Sequence, residues 1–301
     1  MELPVKKQQV TSLLDNDVLA RLERLRLNPL RRQTSRSHGE HLAGKGGTST
    51  EFSDYRNYVS GDDIRFVDWN IFARLQRPYL KQYRHEEELN VVLILDSSSS
   101  MKFEDKLLRG KQLAAAFGLF GLLNVERVSA YACSDESQGP TQFPPCTGRM
   151  NMSRLFAFLE NVEGGGYFPI DEAVDAVLKR HRGRGVAVVL SDFLTFGDLG
   201  RPMNRLYSAG LETFAVQILG PTEADPDVTG DLRFVDSETG DTLDISSAGD
   251  LLGLYHEHRE ALQSELQTIC RRRSGRFLSI RSRDPLEWVL FDLLRRRGWV
   301  R

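Results

Sequence analysis

Cysteine is scarce in this chain: Cys133, Cys146 and Cys270 are the only three in 301 residues, far apart and in no C-x-x-C pair. Their number and spacing exclude a disulfide framework and a thiolate zinc site, and they read as reduced thiols of a cytoplasmic protein. Long apolar runs are missing as well. A membrane-spanning helix needs about 20 apolar residues; the longest stretch, Leu113 to Leu123, suits a helix buried inside the protein. The opening MELPVKKQQV has no apolar core of the length a secretory signal requires. Nor does one sign of charge dominate. Forty Lys and Arg against 42 Asp and Glu leave a formal net charge of −2, which gives no global attraction to nucleic acid or anionic lipid. Internal repeats and low-complexity tracts are absent.

What is present is an ordinary globular composition, 40% hydrophobic and 27% charged, arranged as alternating strand and helix patterns. Residues 16 to 27 place Val18, Leu19, Leu22 and Leu25 on one helical face. A basic stretch broken by Pro29 and a Gly, Ser and Thr cluster follows. Further on, the apolar runs Val91–Leu95, Arg127–Cys133, Val186–Leu190, Thr213–Leu219 and Arg276–Ile280 read as strands. Helical patterns at 105–123, 153–159, 170–180, 199–209, 250–272 and 285–297 lie between or after them. Short runs at 232–235 and 242–245 flank a turn like a hairpin. Alternation of this kind predicts a Rossmann-like three-layer α/β fold with a mostly parallel central sheet covered on both faces. In such sheets ligands bind beyond the carboxyl ends of the strands.

The strand Val91–Leu95 runs directly into Asp96-Ser97-Ser98-Ser99-Ser100-Met101, a D-x-S-x-S pattern, and Val186–Leu190 runs into Ser191-Asp192. A carboxylate and alternate hydroxyls at one strand end, with a second carboxylate from another, are hard oxygen donors of the kind magnesium or manganese takes. Asp96, Ser98, Ser100 and Asp192 are therefore the candidate metal ligands, and no catalytic residue is assigned.

D-x-S-x-S-M after an apolar strand resembles the metal-ion-dependent adhesion site of von Willebrand factor A domains. Upstream, Glu51-Phe52, Asp54-Tyr55-Arg56, Tyr58, Gly61-Asp62-Asp63, Arg65, Asp68-Trp69 and Ala73-Arg74 resemble the signature of the domain of unknown function 58 family. The resemblance implies a von Willebrand factor A-type domain acting by protein recognition, and a MoxR-type AAA+ ATPase as its partner in a chaperone-like or assembly role. It also implies a threonine in a glycine-rich loop before a later helix. Here that loop reads Glu163-Gly164-Gly165-Gly166-Tyr167-Phe168-Pro169-Ile170 and has no hydroxyl at that place except the Tyr167 phenol. The organisation expected is an N-terminal helix and basic linker at 1–50 and a signature segment at 51–88 docked on the core. The α/β domain would occupy 89–301, with a hairpin insertion near 231–246.

Each functional feature has a plain structural alternative. Asp96 and its serines can cap the N–H groups at a helix start. Gly164–Gly166 lacks the G-x-x-x-x-G-K-[ST] spacing of a phosphate loop and reads as a tight turn. The acids and arginines from Asp54 to Arg74 can pair with one another, Gly61 permitting the turn that brings them together. His256 and His258, two apart on a helix, share no face. A metal-dependent hydrolase built on Asp96 and Asp192 is the enzymatic alternative, with Asp171 its one candidate base. Nucleic-acid binding through Arg31 to Lys45 is a further one.

Overall fold

In the computed structural model, residues 9–30, 34–35, 50–86, 89–194, 198–227, 232–235, 242–245 and 252–301 are described. In chain order the first elements are α1 (Asn16–Leu22), β1 (Thr34–Ser35), β2 (Thr50–Asn57), α2 (Trp69–Leu75) and β3 (Tyr79–Glu86). Then come β4 (Asn90–Asp96), α3 (Lys106–Leu123), β5 (Arg127–Cys133), β6 (Thr141–Cys146), α4 (Met152–Glu160), α5 (Ile170–Arg180) and β7 (Gly185–Ser191). The last are α6 (Gly200–Ser208), β8 (Leu211–Leu219), α7 (Pro221–Ala224), β9 (Leu232–Val235), β10 (Thr242–Ile245), α8 (Leu252–Arg272), β11 (Arg276–Arg281) and α9 (Leu294–Arg296). A π-helical turn, Trp288–Leu293, leads into α9. No described helix is long and apolar enough to cross a membrane.

The chain divides into two compact units, residues 1–31 with 89–301, and residues 32–88. The larger unit is a three-layer α/β arrangement, with helices packed on both faces of its sheet. Its six-stranded sheet runs β11-β8-β7-β4-β5-β6, parallel throughout except for the antiparallel edge strand β6. Strand β6 escapes the sequence pattern because Pro144 and Pro145 argue against a strand; they are tolerated at the sheet edge, where the pairing with β5 shifts register between Val128 and Ala130.

Period-two alternation divides the core. Val91, Leu93 and Leu95 of β4 enter one apolar cluster with α3, α4 and the C-terminal segment, whereas Val92 and Ile94 enter the other with α5, α6 and α8. Helix α3 lies against the sheet at close range. A β-carbon at Gly121 would stand 2.5 Å from Val128 Cγ2 of β5, and one at Gly118 2.4 Å from Leu155 Cδ2 of α4, so glycine sets the approach of α3 to both.

The N-terminal helix is shorter than its sequence pattern, ending at Leu22, and Leu27 instead pairs with Val300 near the chain's end. Leu13, Leu14, Val18, Leu19, Leu22 and Leu27 all sit in the first core cluster. Residues 9–30 are thus part of the large unit.

The smaller unit is a three-stranded antiparallel sheet, β1-β3-β2, with a bulge between Phe52 and Asp54. Its charges pair locally, as the sequence suggests. Arg56 donates to both oxygens of Asp62 at 2.7 and 2.6 Å, and Arg65 pairs with Asp63 at 2.5 Å. Asp68 caps α2 by accepting from Asn70 and Ile71 N–H. Gly61, at φ +109°, makes the turn. The unit's rings are incompletely buried: Trp69 remains 58% and Tyr55 37% exposed. Fifty-seven residues with short elements enclose too little volume for a core of their own.

Candidate functional site

Strand order reverses around β4. The chain leaves it for β5 on one side and returns through β7 on the other, so the carboxyl ends of β4 and β7 form the switch point where open α/β sheets bind ligands. Asp96 ends β4, half-buried. Its Oδ1 accepts from Ser98 N–H at 2.9 Å and Ser98 Oγ at 2.7 Å, and its Oδ2 accepts from Ser191 Oγ at 2.6 Å. Ser98 Oγ lies 3.1 Å from Ser100 Oγ. Burial, reinforced by the nearby Asp192 carboxylate, pushes the Asp96 carboxyl up to about 6, against the hydrogen bonds from Ser191 and Ser98 that pull it down.

The glycine loop meets the serine loop through its backbone. Gly165 N–H donates to Ser97 C=O at 2.8 Å, and Ser99 N–H donates to Gly166 C=O at 2.9 Å. A β-carbon on Gly166 would come within 2.7 Å of Ser134 C=O, so glycine is required for this approach. Tyr167 stands half-exposed at the rim, and Asp171 faces Arg201 at 3.9 Å.

Asp192 has a partner that the sequence pattern does not reveal. Lys106, fully buried at the first residue of α3, donates to Asp192 Oδ2 at 2.8 Å and to Glu223 Oε1 at 2.5 Å. The remaining oxygens are also engaged. Leu194 N–H donates to Asp192 Oδ1 at 3.1 Å, and Gly220 N–H donates to Glu223 Oε2 at 2.7 Å. Burial works against the Lys106 ammonium, but its two carboxylate partners outweigh that and hold it above the ordinary lysine range. Burial in turn raises Glu223, partly offset by Lys106. A signal for this exists in the sequence. A cation in the first turn of a helix opposes the helix dipole, and one heading a helix as apolar as α3 needs buried acids.

The donor geometry tests the expected metal set. Asp96 Oδ1, Ser98 Oγ and Ser100 Oγ are spaced 2.7 and 3.1 Å apart in succession, close to the edge of about 3 Å in an octahedron with 2.1 Å bonds, so each successive pair suits adjacent coordination positions. Both oxygens of Asp192 already accept within the protein, Oδ2 from Lys106 Nζ and Oδ1 from Leu194 N–H. Among the described residues, no group of three or more His, Cys, Asp and Glu side chains is placed to hold a metal.

A family profile described as "Protein of unknown function DUF58" matches residues 54–264. The chain is similar to the uncharacterized protein Rv1480 of Mycobacterium tuberculosis (strain ATCC 25618 / H37Rv), with 31% identity covering 94% of this chain and 92% of that protein. The uncharacterized protein MAV169 of Mycobacterium avium is 29% identical over 52% of this chain and 96% of its own length. Among solved structures, the conserved hypothetical protein BatB from Bacteroides thetaiotaomicron is 15% identical, with a TM-score of 0.41, covering 64% of this chain and 90% of that one. The pilus adhesin SpaC from Lactobacillus rhamnosus GG in its open conformation is 12% identical, with a TM-score of 0.44 and coverage of 71% and 30%.

Proposed function

The chain belongs to the DUF58 family, and from that premise we infer that it is a non-enzymatic protein-recognition module whose contact site is the sheet edge around Asp96. The observation that carries this reading is the Asp96, Ser98 and Ser100 face at the switch point of the sheet. Its hydroxyls bond to each other and to a carboxylate, and among the described residues no histidine bonds to them. Asp171, the one candidate base of the hydrolase reading, faces Arg201 instead.

Magnesium or manganese would be held by Asp96, Ser98 and Ser100 and would supply a coordination position for a partner's acidic side chain. The partner class is a MoxR-type AAA+ ATPase, as the family resemblance implies, in a chaperone-like or assembly role. The three free thiols, two of them buried, favour action in the cytoplasm. The basic stretch Arg31 to Lys45, on which nucleic-acid binding would depend, lies outside the described residues apart from Thr34 and Ser35.

The test immobilises the full chain and measures binding of a purified MoxR-type ATPase from the same organism, with magnesium and with chelator. Saturable binding that Asp96→Ala weakens at least about tenfold, equivalent to 1.4 kcal/mol, supports the reading. Absence of binding in both conditions overturns it, as does hydrolysis of phosphoester, peptide or nucleotide substrates that Asp96→Ala abolishes.

A further inference from the structure

Lys106 lies 86 residues from Asp192 and 117 from Glu223 in the chain, yet its Nζ bridges the two carboxylates with no exposed surface of its own. Asp192 is buried too, and the Glu223 side chain is 19% exposed. An isolated charge in that position would be strongly unfavourable, so the three groups stand or fall together.

The backbone that delivers Lys106 is unusual. Glu104 and Asp105 are consecutive non-glycine residues at φ 49° and 60°, the left-handed region that L-residues avoid. Side-chain contacts hold them there. Glu104 accepts from Thr222 N–H at 2.8 Å and Thr222 Oγ1 at 2.6 Å, and its carbonyl accepts from Ser282 Oγ at 2.5 Å. Residues 104 and 106 are thereby both tied to residues 222 and 223. The start of α3, the end of β7 and α7 are locked around one ammonium group.

We propose that Lys106 is the resident cation of this sheet edge: it neutralises Asp192 and Glu223 from within the chain and ties the start of α3 to both, and Asp192 takes no part in binding a metal. Lys106 is a positioning residue. Its ammonium stands 2.8 and 2.5 Å from the two carboxylate oxygens, near the 2.3–2.6 Å of calcium–oxygen bonds. Removing the side chain should therefore open a place that a divalent cation can take. The inference is independent of the recognition reading, because its readouts are stability and metal response and not partner binding.

Thermal melting of the full chain, in chelator and in millimolar calcium or manganese, tests it. Wild type and Asp192→Asn should show the same metal response, whatever its size. Lys106→Ala should melt about 10 °C lower in chelator and recover by about 5 °C or more in the metal. In Lys106→Ala/Asp192→Asn the response should fall back to that of wild type. A Lys106→Met/Asp192→Asn/Glu223→Gln chain, with every charge of the cluster removed, should melt well above Lys106→Met, an effect that loss of packing alone would not produce. A wild-type metal response abolished by Asp192→Asn overturns the proposal. So does a triple variant no more stable than Lys106→Met, an outcome that can be read even if Lys106→Ala does not fold.

Discussion

In the large unit Phe117 sits against Phe120 and Trp299, with ring centroids 6.0 and 6.2 Å apart, and exposes none of its surface. In residues 32–88 Trp69 packs edge-on against Phe72 and leaves 58% of its surface exposed. Charges contrast in the same way. The large unit buries Lys106 and Arg109 and half-buries Glu126, whereas the small one pairs Arg56 with Asp62 and Arg65 with Asp63 at its surface. Both apolar clusters lie in the large unit, and an aromatic residue among the charges of the small one, such as Trp69, is no guide to burial.

The largest effect that sharpens this contrast comes from paired truncations. Phe117→Ala should cost about 3–5 kcal/mol in chemical denaturation, from lost transfer energy and the cavity left behind. Trp69→Ala should change the same transition by no more than about 0.5 kcal/mol, as expected of an exposed residue. Equal losses would break the comparison and show that Trp69 is buried in the folded chain in solution.

Next in size is the unpaired charge of the large unit. Oxygen Oε2 of Glu126 is buried without a hydrogen-bond partner, and desolvation raises this carboxyl from 4.5 to about 7. A folded value above the unfolded one means that ionisation is disfavoured in the fold. The penalty is absent below about pH 4.5 and complete above about 7, so this contribution to stability falls as pH rises through that window. Glu126→Gln should therefore stabilise the protein by about 1–2 kcal/mol at pH 8, discounted for partial exposure, and leave it unchanged at pH 4. Urea melts at the two pH values provide the check; a gain of the same size at both would assign the effect to packing.

The smallest effect belongs to the small unit. Asp62 Oδ2 accepts from Val59 N–H at 2.8 Å as well as from Arg56, so the ion pair closes the Gly61 turn. Arg56→Ala should cost about 0.5–1 kcal/mol, felt locally. Hydrogen exchange at Val59 should quicken while the main transition stays in place. A shift of the main transition would mean that the two units unfold together.

Much of the larger fold is legible in local pattern. Val91–Leu95 and Val186–Leu190 are short, apolar and β-branched, bounded by polar residues, and every one of those side chains is buried as such runs require. Asp96, Ser98 and Ser100 lie within five residues of one another, so their convergence follows once the strand ends at Asp96. The charge pairs of the signature are local too: Arg56 and Asp62 are six residues apart, Asp63 and Arg65 two.

Contacts between distant residues were decided only by the tertiary structure. Strand order placed β7 beside β4, bringing Ser191 to Asp96 across 95 residues. Packing of α3 carried Lys106 to Asp192 and Glu223, and the return of the C-terminus set Leu27 against Val300 and drew residues 9–30 into the core. A local pattern records which side chains avoid water and which backbone shapes are favoured, because both depend on a residue and its near neighbours. Which acid neutralises a buried lysine depends on loop closures and crossovers spanning a hundred residues, and that choice exists only once the sheet has formed.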